Sequence, residues 1–272
     1  MLKDMTLGQY FPGNSILHKI DPRMKLILAV LYIVMIFLEK TPLAYVFVLA
    51  SAAGLIFLSR LHMRVILRGL RPILFIILLT ACINIFWTRG ETPLVDWKFI
   101  HIYPEGIQFA IFMMVRIVSL VIGTAVILTY TTSPIALTDG LEHLLMPLSK
   151  LHLPVHEFSM MMTIALRFIP TLVEETDKIM SAQKSRGTDF SSGSLLRRAK
   201  ALIPVMVPLF ISAINRATEL AVAMECRCYR GGTGRTKMNR LQYRPRDFLA
   251  LLCVCCMCAV VLLLNRYTPM IV

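Results

Sequence analysis

The chain has 272 residues and a formal net charge of +13, with 57% hydrophobic and only 17% charged residues. Charged residues make up about 25% of an ordinary soluble domain, so this composition excludes a soluble globular protein. Several apolar runs are long enough to cross the roughly 30 Å hydrocarbon core of a bilayer. The chain is therefore an integral membrane protein.

Five apolar runs are candidates for membrane-spanning helices. They begin near Met24, Pro42, Pro72, Gly106 and Phe248. The first and third runs are weaker than the others and are included with an allowance for tilt. The pattern predicts an all-α, polytopic membrane protein with about five transmembrane helices.

Basic residues set the orientation of these helices, because short basic loops are retained in the cytoplasm during insertion. The loop after the second span contains four basic residues and no acidic one, namely Arg60, Arg64, Arg68 and Arg71. We expect it inside, and the mixed-charge connection from Trp87 to Glu105 outside. Five spans then leave the amino terminus inside and the carboxyl terminus outside. No cleavage site follows the first span, which is expected to stay attached.

A long basic segment separates the fourth span from the last. Residues 131–246 contain sixteen basic and nine acidic residues, which accounts for more than half of the chain's excess positive charge. We predict a cytoplasmic helical domain inserted before the last span. The predicted domains are residues 1–130 with about four spans, 131–246 in the cytoplasm and 247–272 with the final transmembrane helix.

Prolines divide the cytoplasmic segment. Ser133 is a good helix N-cap, and Pro134 suits the first turn of a helix. Pro147 and Pro154 disfavour a continuous helix through to the next segment. The first cytoplasmic helix is therefore expected to be short.

Two longer helices are predicted to follow. The second runs from Val155 to Arg186, with a bend at Arg167–Pro170, and Gly187 supplies a residue that can adopt the left-handed terminating conformation. The third runs from about Leu195 to Arg230 and ends at Gly231-Gly232. Both helices are amphipathic and long.

The third helix presents a narrow apolar stripe, and its small alanines permit close helix packing. The stripe consists of Ile214, Ala217, Ala221 and Met224. Residues 202–211 are apolar nearly all round, which indicates contact with the membrane interface or with another hydrophobic protein. On the second helix, Met160, Met161 and Met162 fit either a surface that repacks against different partners or the filling of a helix-helix core.

An arginine stands at the end of each long helix. Arg186 and Arg227 there complement the negative end of the helix dipole. A guanidinium group can also bind a partner's carboxylates through two parallel hydrogen bonds. The spacing alone leaves two alternatives open, a partner-binding arginine and a solvated helix cap.

Several blocks carry a resemblance to a known family. They are Gln9–Gly13, Ser15–Lys25, Thr131–Pro134, Arg167–Pro170, Ala182–Gly187 and Ala223–Gly232. In order and spacing the chain resembles the transmembrane T component (EcfT family) of energy-coupling factor (ECF) transporters. The resemblance covers essentially the whole chain and identifies 131–246 as coupling helices.

The resemblance implies that two Ala-Arg-Gly motifs dock into a pair of ABC-type ATPases, which assigns that role to Arg186 and Arg227. It also implies a small membrane-embedded S component as partner, uptake of vitamins or other micronutrients, and no cofactor, catalytic residue or nucleic-acid partner. The chain departs from the motifs on either side of the arginines. The residues of the two docking motifs here are Ser185, Arg186 and Gly187, and Cys226, Arg227 and Cys228.

Arg116 lies within the fourth span, where a charged side chain is costly and generally faces protein or water. Its partner cannot be identified from the sequence. Helix packing and contact with the S component are both open for Arg116, and the same two roles are open for Met160–Met162, Arg167 and Pro170. Glu174 and Glu175 either contact basic residues of the neighbouring helix or face solvent.

Enzymatic alternatives find little support. The glycine-rich segment 231–237 lacks the spacing of a nucleotide-binding P-loop, and His152 and His156 lack the glutamate of a zinc protease motif. A membrane-bound lipid enzyme would need clustered acidic metal ligands, for which Glu174, Glu175 and Asp177 are a weak substitute. No metal site is predicted, and the cysteines of the last span are read as membrane-facing filler.

A lipid-binding scaffold is the remaining alternative. Its candidate residues are Arg197, Arg198, Lys200 and the basic residues of 235–246, which would contact anionic lipid heads. This role is compatible with transport, because a coupling domain lies at the membrane surface.

Overall fold

The computed structural model describes residues 10–88, 95–97, 100–151, 154–190, 194–231 and 241–267. Within these ranges the protein is almost entirely helical, apart from one short antiparallel hairpin of β1 (Val95–Trp97) and β2 (Ile100–Ile102). The α-helices are α1 (Pro22–Phe37), α2 (Pro42–Ser59), α3 (Met63–Trp87), α4 (Pro104–Thr124), α5 (Pro134–Leu145), α6 (Val155–Ser185), α7 (Leu195–Cys226) and α8 (Pro245–Tyr267).

The chain divides into two compact units. Of the described residues, those within 10–141 and 241–267 form the first, called the bundle unit here, and those within 142–231 form the second, called the helix-pair unit. Helices α1 to α4 and α8 belong to the bundle unit, whereas α6 and α7 belong to the helix-pair unit. Helix α5 carries the chain from one unit into the other.

Five helices of the described residues are long and apolar enough to cross a membrane. They are α2, α3, α4 with a π-helical extension through Tyr130, α7 from Leu196, and α8. An all-α, multi-pass membrane protein is thereby confirmed. One helix differs from the prediction: α1 has 16 residues and measures only about 24 Å. Helix α7, in contrast, is long and apolar enough to cross a membrane. From the sequence, its apolar part was instead expected to contact the membrane interface or another hydrophobic protein.

The start of the third predicted span is also corrected. Helix α3 begins at Met63 rather than near Pro72, and Pro72 lies inside it. Arg64, Arg68 and Arg71 are therefore exposed residues of a helix and not of a loop. Their spacing of four and three residues places them on one side of α3, which keeps the charges away from the helix's packed face.

Helix α1 forms the core of the bundle unit. Its side chains Tyr32, Met35 and Ile36 are at most 1% exposed. They pack with Val48 of α2 and Val261 of α8, among others. A second cluster surrounds Met24 and Leu28 near the start of α1. The shortest of the bundle helices is thus the most enclosed, and the longer helices expose their apolar side chains.

Small residues allow α1 and α4 to approach closely. Gly123 of α4 lies directly against the ring of Tyr32, so that a Cβ atom at this position would collide with the ring. Tyr32 is 1% exposed and has no room to move aside. The contact between these helices therefore requires glycine at residue 123.

We expect Gly123→Ala to destabilise the bundle unit by about 1–3 kcal/mol, the usual cost of overpacking a core. The measurement is the thermal unfolding midpoint of the purified protein in detergent. Gly54→Ala is the matched control, because no atom lies within 4 Å of a Cβ at that helical glycine. Equal midpoints for the two variants would contradict this account of the α1–α4 contact.

Candidate functional site

The helices that follow α4 begin where the prolines predicted. The hydroxyl of Ser133 accepts a hydrogen bond from the amide of Ala136 at 3.3 Å, which caps α5 at Pro134. Helix α5 ends at Leu145, and a 3-10 turn at Met146–Leu151 separates it from α6. The predicted short first helix is confirmed. Helix α6 then runs for 31 residues and continues through Pro170.

Helix α6 ends in a Schellman motif, in which two hydrogen bonds reach back from a left-handed residue and its successor. The amide of Gly187 donates to the carbonyl of Lys184 at 2.9 Å, and the amide of Thr188 donates to Gln183 at 3.0 Å. Gly187 has a φ of +88°, which glycine adopts without steric cost. Arg186 is the C-cap, and its side chain is exposed.

Helix α7 ends in the same motif. The amide of Cys228 donates to Glu225 at 2.8 Å, and the amide of Tyr229 donates to Met224 at 3.0 Å. Arg227 is the exposed C-cap, equivalent to Arg186. The helix therefore stops at Cys226, and the predicted end at Arg230 before Gly231-Gly232 was wrong, because Cys228 takes the left-handed conformation, with a φ of +57°.

An ion pair joins the two long helices at a point equidistant from their tips. Arg216 of α7 donates to Glu175 of α6 at 3.2 Å, and its guanidinium lies 5.7 Å from the ring centre of Phe168. Arg186 follows Glu175 by eleven residues, and Arg227 follows Arg216 by eleven residues. Each tip therefore stands about 16 Å along its helix from the ion pair.

An apolar cleft of about 230 Å³ lies beside this ion pair. Helix α6 contributes Ile164, Phe168 and Leu172, and α7 contributes a row of small and apolar residues. That row consists of Ala213, Ala217, Leu220, Ala221 and Met224, together with Arg216. Ala217, Ala221 and Met224 of the predicted stripe thus line the cleft with α6, whereas Ile214 is 49% exposed and does not line it. Small side chains on successive turns of α7, at Ala213, Ala217 and Ala221, leave room between the helices.

The outer surfaces of α6 and α7 are strongly apolar. Met161 is 58% exposed, Met162 is 40% exposed, and Phe210 is 67% exposed. Met160 is half-buried, whereas Arg167 and Pro170 are exposed. Large apolar side chains in this number are unusual on a surface that faces water only.

The structure supplies the partner of Arg116 that the sequence could not. The guanidinium donates to the Glu39 carboxylate at 3.3 Å, to the backbone carbonyl of Glu39 at 2.9 Å and to the Tyr45 hydroxyl at 2.6 Å. The Glu39 side chain is fully buried, and that of Arg116 is 17% exposed. These three residues join α4 to the turn between α1 and α2.

The enzymatic alternatives gain no support from the described residues. Among them, no three His, Cys, Asp or Glu side chains are grouped so that they could hold a metal ion. Glu175 pairs with Arg216, and His156 contacts Glu142 at 3.1 Å. His152 and residues 232–237 of the glycine-rich segment lie outside the described ranges.

Sequence reasoning found one half of the ion pair between the helices. Glu175 was expected to contact a basic residue of the neighbouring helix or to face solvent, and the first expectation is confirmed. Arg216 was overlooked, although it lines the same cleft as Ala217 and Ala221. A spacing could have indicated it: Glu175 precedes Arg186 by eleven residues, and the residue eleven positions before Arg227 is Arg216.

Comparison with known proteins identifies the family. A family model described as cobalt transport protein, CbiQ, matches residues 13–238. A relative from Clostridium kluyveri, called energy-coupling factor transporter transmembrane protein EcfT, is 54% identical over 93% of this chain and 94% of its own length. The chain belongs to this family. Relatives with the same name include one from Bacillus subtilis, 46% identical over 91% of this chain and 93% of its own.

As a member of the EcfT family, this chain is an energy-coupling transmembrane component of a transporter. Its relatives are named as transmembrane proteins of the transporter, and no enzymatic activity is part of those names. A relative from Ruminiclostridium cellulolyticum is 53% identical over 92% of both chains. Matches that cover nearly the whole chain include both the bundle unit and the helix-pair unit.

The left-handed Cys228 gives a test of the second helix end. A side chain in this conformation costs about 1–2 kcal/mol relative to a helical residue, whereas glycine adopts it freely. Cys228→Gly should therefore slow local opening of the motif, measured as slower hydrogen exchange at the amides of Cys228 and Tyr229. Gly187→Ala at the end of α6 should accelerate exchange at residues 187 and 188.

Cys226→Ala is the matched control for the same experiment. Residue 226 is the last helical position, where alanine fits without strain, so exchange at residues 228 and 229 should change little. Faster exchange in Cys228→Gly would show that the cysteine side chain itself stabilises the helix end.

Proposed function

We propose that this chain transmits ATP-driven motion from two ABC-type ATPases to a membrane-embedded S component during micronutrient uptake. The observation that carries the proposal is the matched construction of the two tips, each with an exposed arginine as C-cap and each eleven residues from one ion pair. Membership in the EcfT family supports it. In this proposal the chain itself is not catalytic, and the partner chains hydrolyse ATP.

The docking surfaces are the two helix ends. The first consists of Ser185, Arg186 and Gly187, and the second of Cys226, Arg227 and Cys228. Each guanidinium projects from the negative end of a helix dipole, which favours a cation there. A buried carboxylate pair on an ATPase surface would match the planar fork of each arginine. The identical Schellman motifs support equivalent roles for the two ends.

Force would travel along α6 and α7 as rigid helices. Both are continuous for more than 30 residues, through Pro170 in α6 and through Pro204 and Pro208 in α7. The Glu175–Arg216 pair fixes the helices against each other between the tips and the apolar surfaces. When the ATPases approach or separate, the tips would move with them and carry the rest of the helices along.

The exposed apolar side chains of α6 and α7 are the proposed contact surface for the S component. Flexible methionines such as Met161 and Met162 suit a surface that repacks against a partner. Arg167 and Pro170 are exposed on α6 and are available to the same partner. We assign Arg116 to packing instead, because its guanidinium is occupied by Glu39 and Tyr45.

We place the chain in the cell membrane with the amino terminus and the coupling helices in the cytoplasm and the carboxyl terminus outside. This placement counts the short α1 as the first of five spans and treats α7 as a coupling helix despite its apolar composition. The domains in this arrangement are 1–130, 131–246 and 247–272. Support comes from the acid-free arginine row of α3. Exposed basic residues at the start of α7 would contact anionic lipid heads, and these are Arg197, Arg198 and Lys200.

Replacing both terminal arginines tests the docking role. We expect Arg186→Ala with Arg227→Ala to leave a membrane-inserted protein that no longer retains its ATPases during purification. Truncating an arginine that binds buried carboxylates costs about 2–5 kcal/mol per site, which is enough to dissociate the complex. The measurement is the molar ratio of ATPase to this chain after affinity purification, together with substrate uptake.

Lys150→Ala with Lys178→Ala is the matched control. It removes two exposed basic residues of the helix-pair unit and lowers the net charge by the same amount, but it leaves both helix ends intact. Retention of the ATPases should be normal in this variant. Normal retention in the Arg186 and Arg227 variant as well would refute the docking role.

The solute class is tested separately. The separate S component is expected to determine it, and we favour a vitamin. The matching family model is described as a cobalt transport protein, which makes a divalent metal ion the second candidate. Mass identification of the co-purified small membrane chain, followed by uptake of labelled B vitamins and of labelled cobalt into cells, distinguishes the two. Cobalt uptake alone would overturn the vitamin assignment.

A further inference from the structure

A buried polar cluster lies at the start of α1. Lys25 is only 2% exposed, and Asp21 and Asp247 are 7% and 1% exposed. Charged groups are rarely buried to this extent unless they are paired or hydrogen-bonded. The residues of this cluster do not contribute to the docking surfaces proposed above and need another explanation.

Lys25 binds the segment that follows α4. Its ammonium group donates to the backbone carbonyl of Thr131 at 2.8 Å and to the hydroxyl of Thr132 at 3.2 Å. Both threonines are buried. The bonded residues stand between the π-helix that extends α4 and the first residue of α5, where the chain leaves one helix and starts the next.

Helix α5 also packs against the beginning of α1. Gly140 lies so close to this segment that a Cβ atom there would be 3.1 Å from the Cβ of Pro22 and 3.2 Å from the amide nitrogen of Arg23. The same five-residue stretch at the start of α1, Asp21–Lys25, therefore contacts the chain both before α5 and at the middle of α5. These contacts are independent of each other.

Helix α8 holds the stretch from its other side. One Asp247 oxygen accepts the amide of Asp21 at 2.9 Å, and the other accepts the amide of Arg244 at 2.7 Å. Asp21 itself caps α1 by accepting the amide of Arg23 at 2.9 Å. The acids Asp21 and Asp247 balance the bases Arg23 and Lys25 in charge, so that the cluster is neutral as a whole.

We infer that Asp21–Lys25 is a clamp that positions the start of α5, and that Lys25 is its positioning residue. The inference deepens the proposed function, because α5 leads into the coupling helices, and a fixed start lets α5 transmit motion rather than absorb it. A free segment at residues 131–133 would act as a flexible joint.

Hydrogen exchange of the purified chain tests the clamp without any partner. The reporters are the amides of Thr132, Ala136 and Leu137, whose hydrogen bonds lie in the clamped segment. Lys25→Met should accelerate their exchange by roughly tenfold or more, as expected for the loss of a hydrogen bond to a charged group. The amides of Leu38 and Tyr45, elsewhere in the bundle unit, should exchange as in the wild type.

A second pair of variants covers the case in which Lys25→Met does not fold. Thr132→Val keeps the shape of the side chain and removes the hydroxyl that Lys25 binds, whereas Thr132→Ser keeps the hydroxyl. We expect faster exchange at residues 132, 136 and 137 in the valine variant alone. Unchanged exchange in Thr132→Val, or equal acceleration at Leu38 and Tyr45, would overturn the clamp.

Uptake in cells completes the test. With the clamp loosened, ATPase retention should stay at the wild-type level, because Arg186 and Arg227 are intact, and uptake should fall several-fold. Wild-type uptake despite faster exchange at residues 132–137 would overturn the positioning role. Failure of the proposed docking would show itself differently, as normal ATPase retention in the double arginine variant, and would leave the exchange result interpretable.

Discussion

Hydrogen bonds from other helices hold both ends of α1, and the bundle unit is built around this constraint. At the start, the amide of Asp21 is bound by Asp247 of α8. At the end, the carbonyl of Leu38 accepts from Asn265 of α8 at 2.6 Å, and that of Glu39 accepts from Arg116 of α4. An unpaired peptide group away from water costs several kcal/mol, so a short enclosed helix depends on such partners.

The same requirement explains where charge is buried in this protein. Arg116 and Lys25 each reach a backbone carbonyl at a point where a helix ends, and each has an acidic residue near it. Buried charge in the bundle unit serves to close helix ends, while the two terminal arginines of the helix-pair unit are exposed C-caps.

Local sequence signals predicted much of this protein, because they act over a few residues. Helix α5 begins at Pro134, and α6 ends just before Gly187, as expected. The end of α7 was missed since Cys228, a residue that rarely adopts a left-handed conformation, does so here in place of a glycine. The start of α3 was missed since its arginines read as a charged loop, although arginine is a good helix former.

Composition, helix signals and the order of the sequence blocks determined the membrane class, the long helices and the family, because each of these is written in neighbouring residues. The tertiary structure decided which side chains pair. Arg116 binds Glu39, Glu175 binds Arg216, and Lys25 binds Thr131. The last two residues are 106 positions apart in the sequence. Contacts between distant segments depend on how helices pack, and no local pattern specifies that packing.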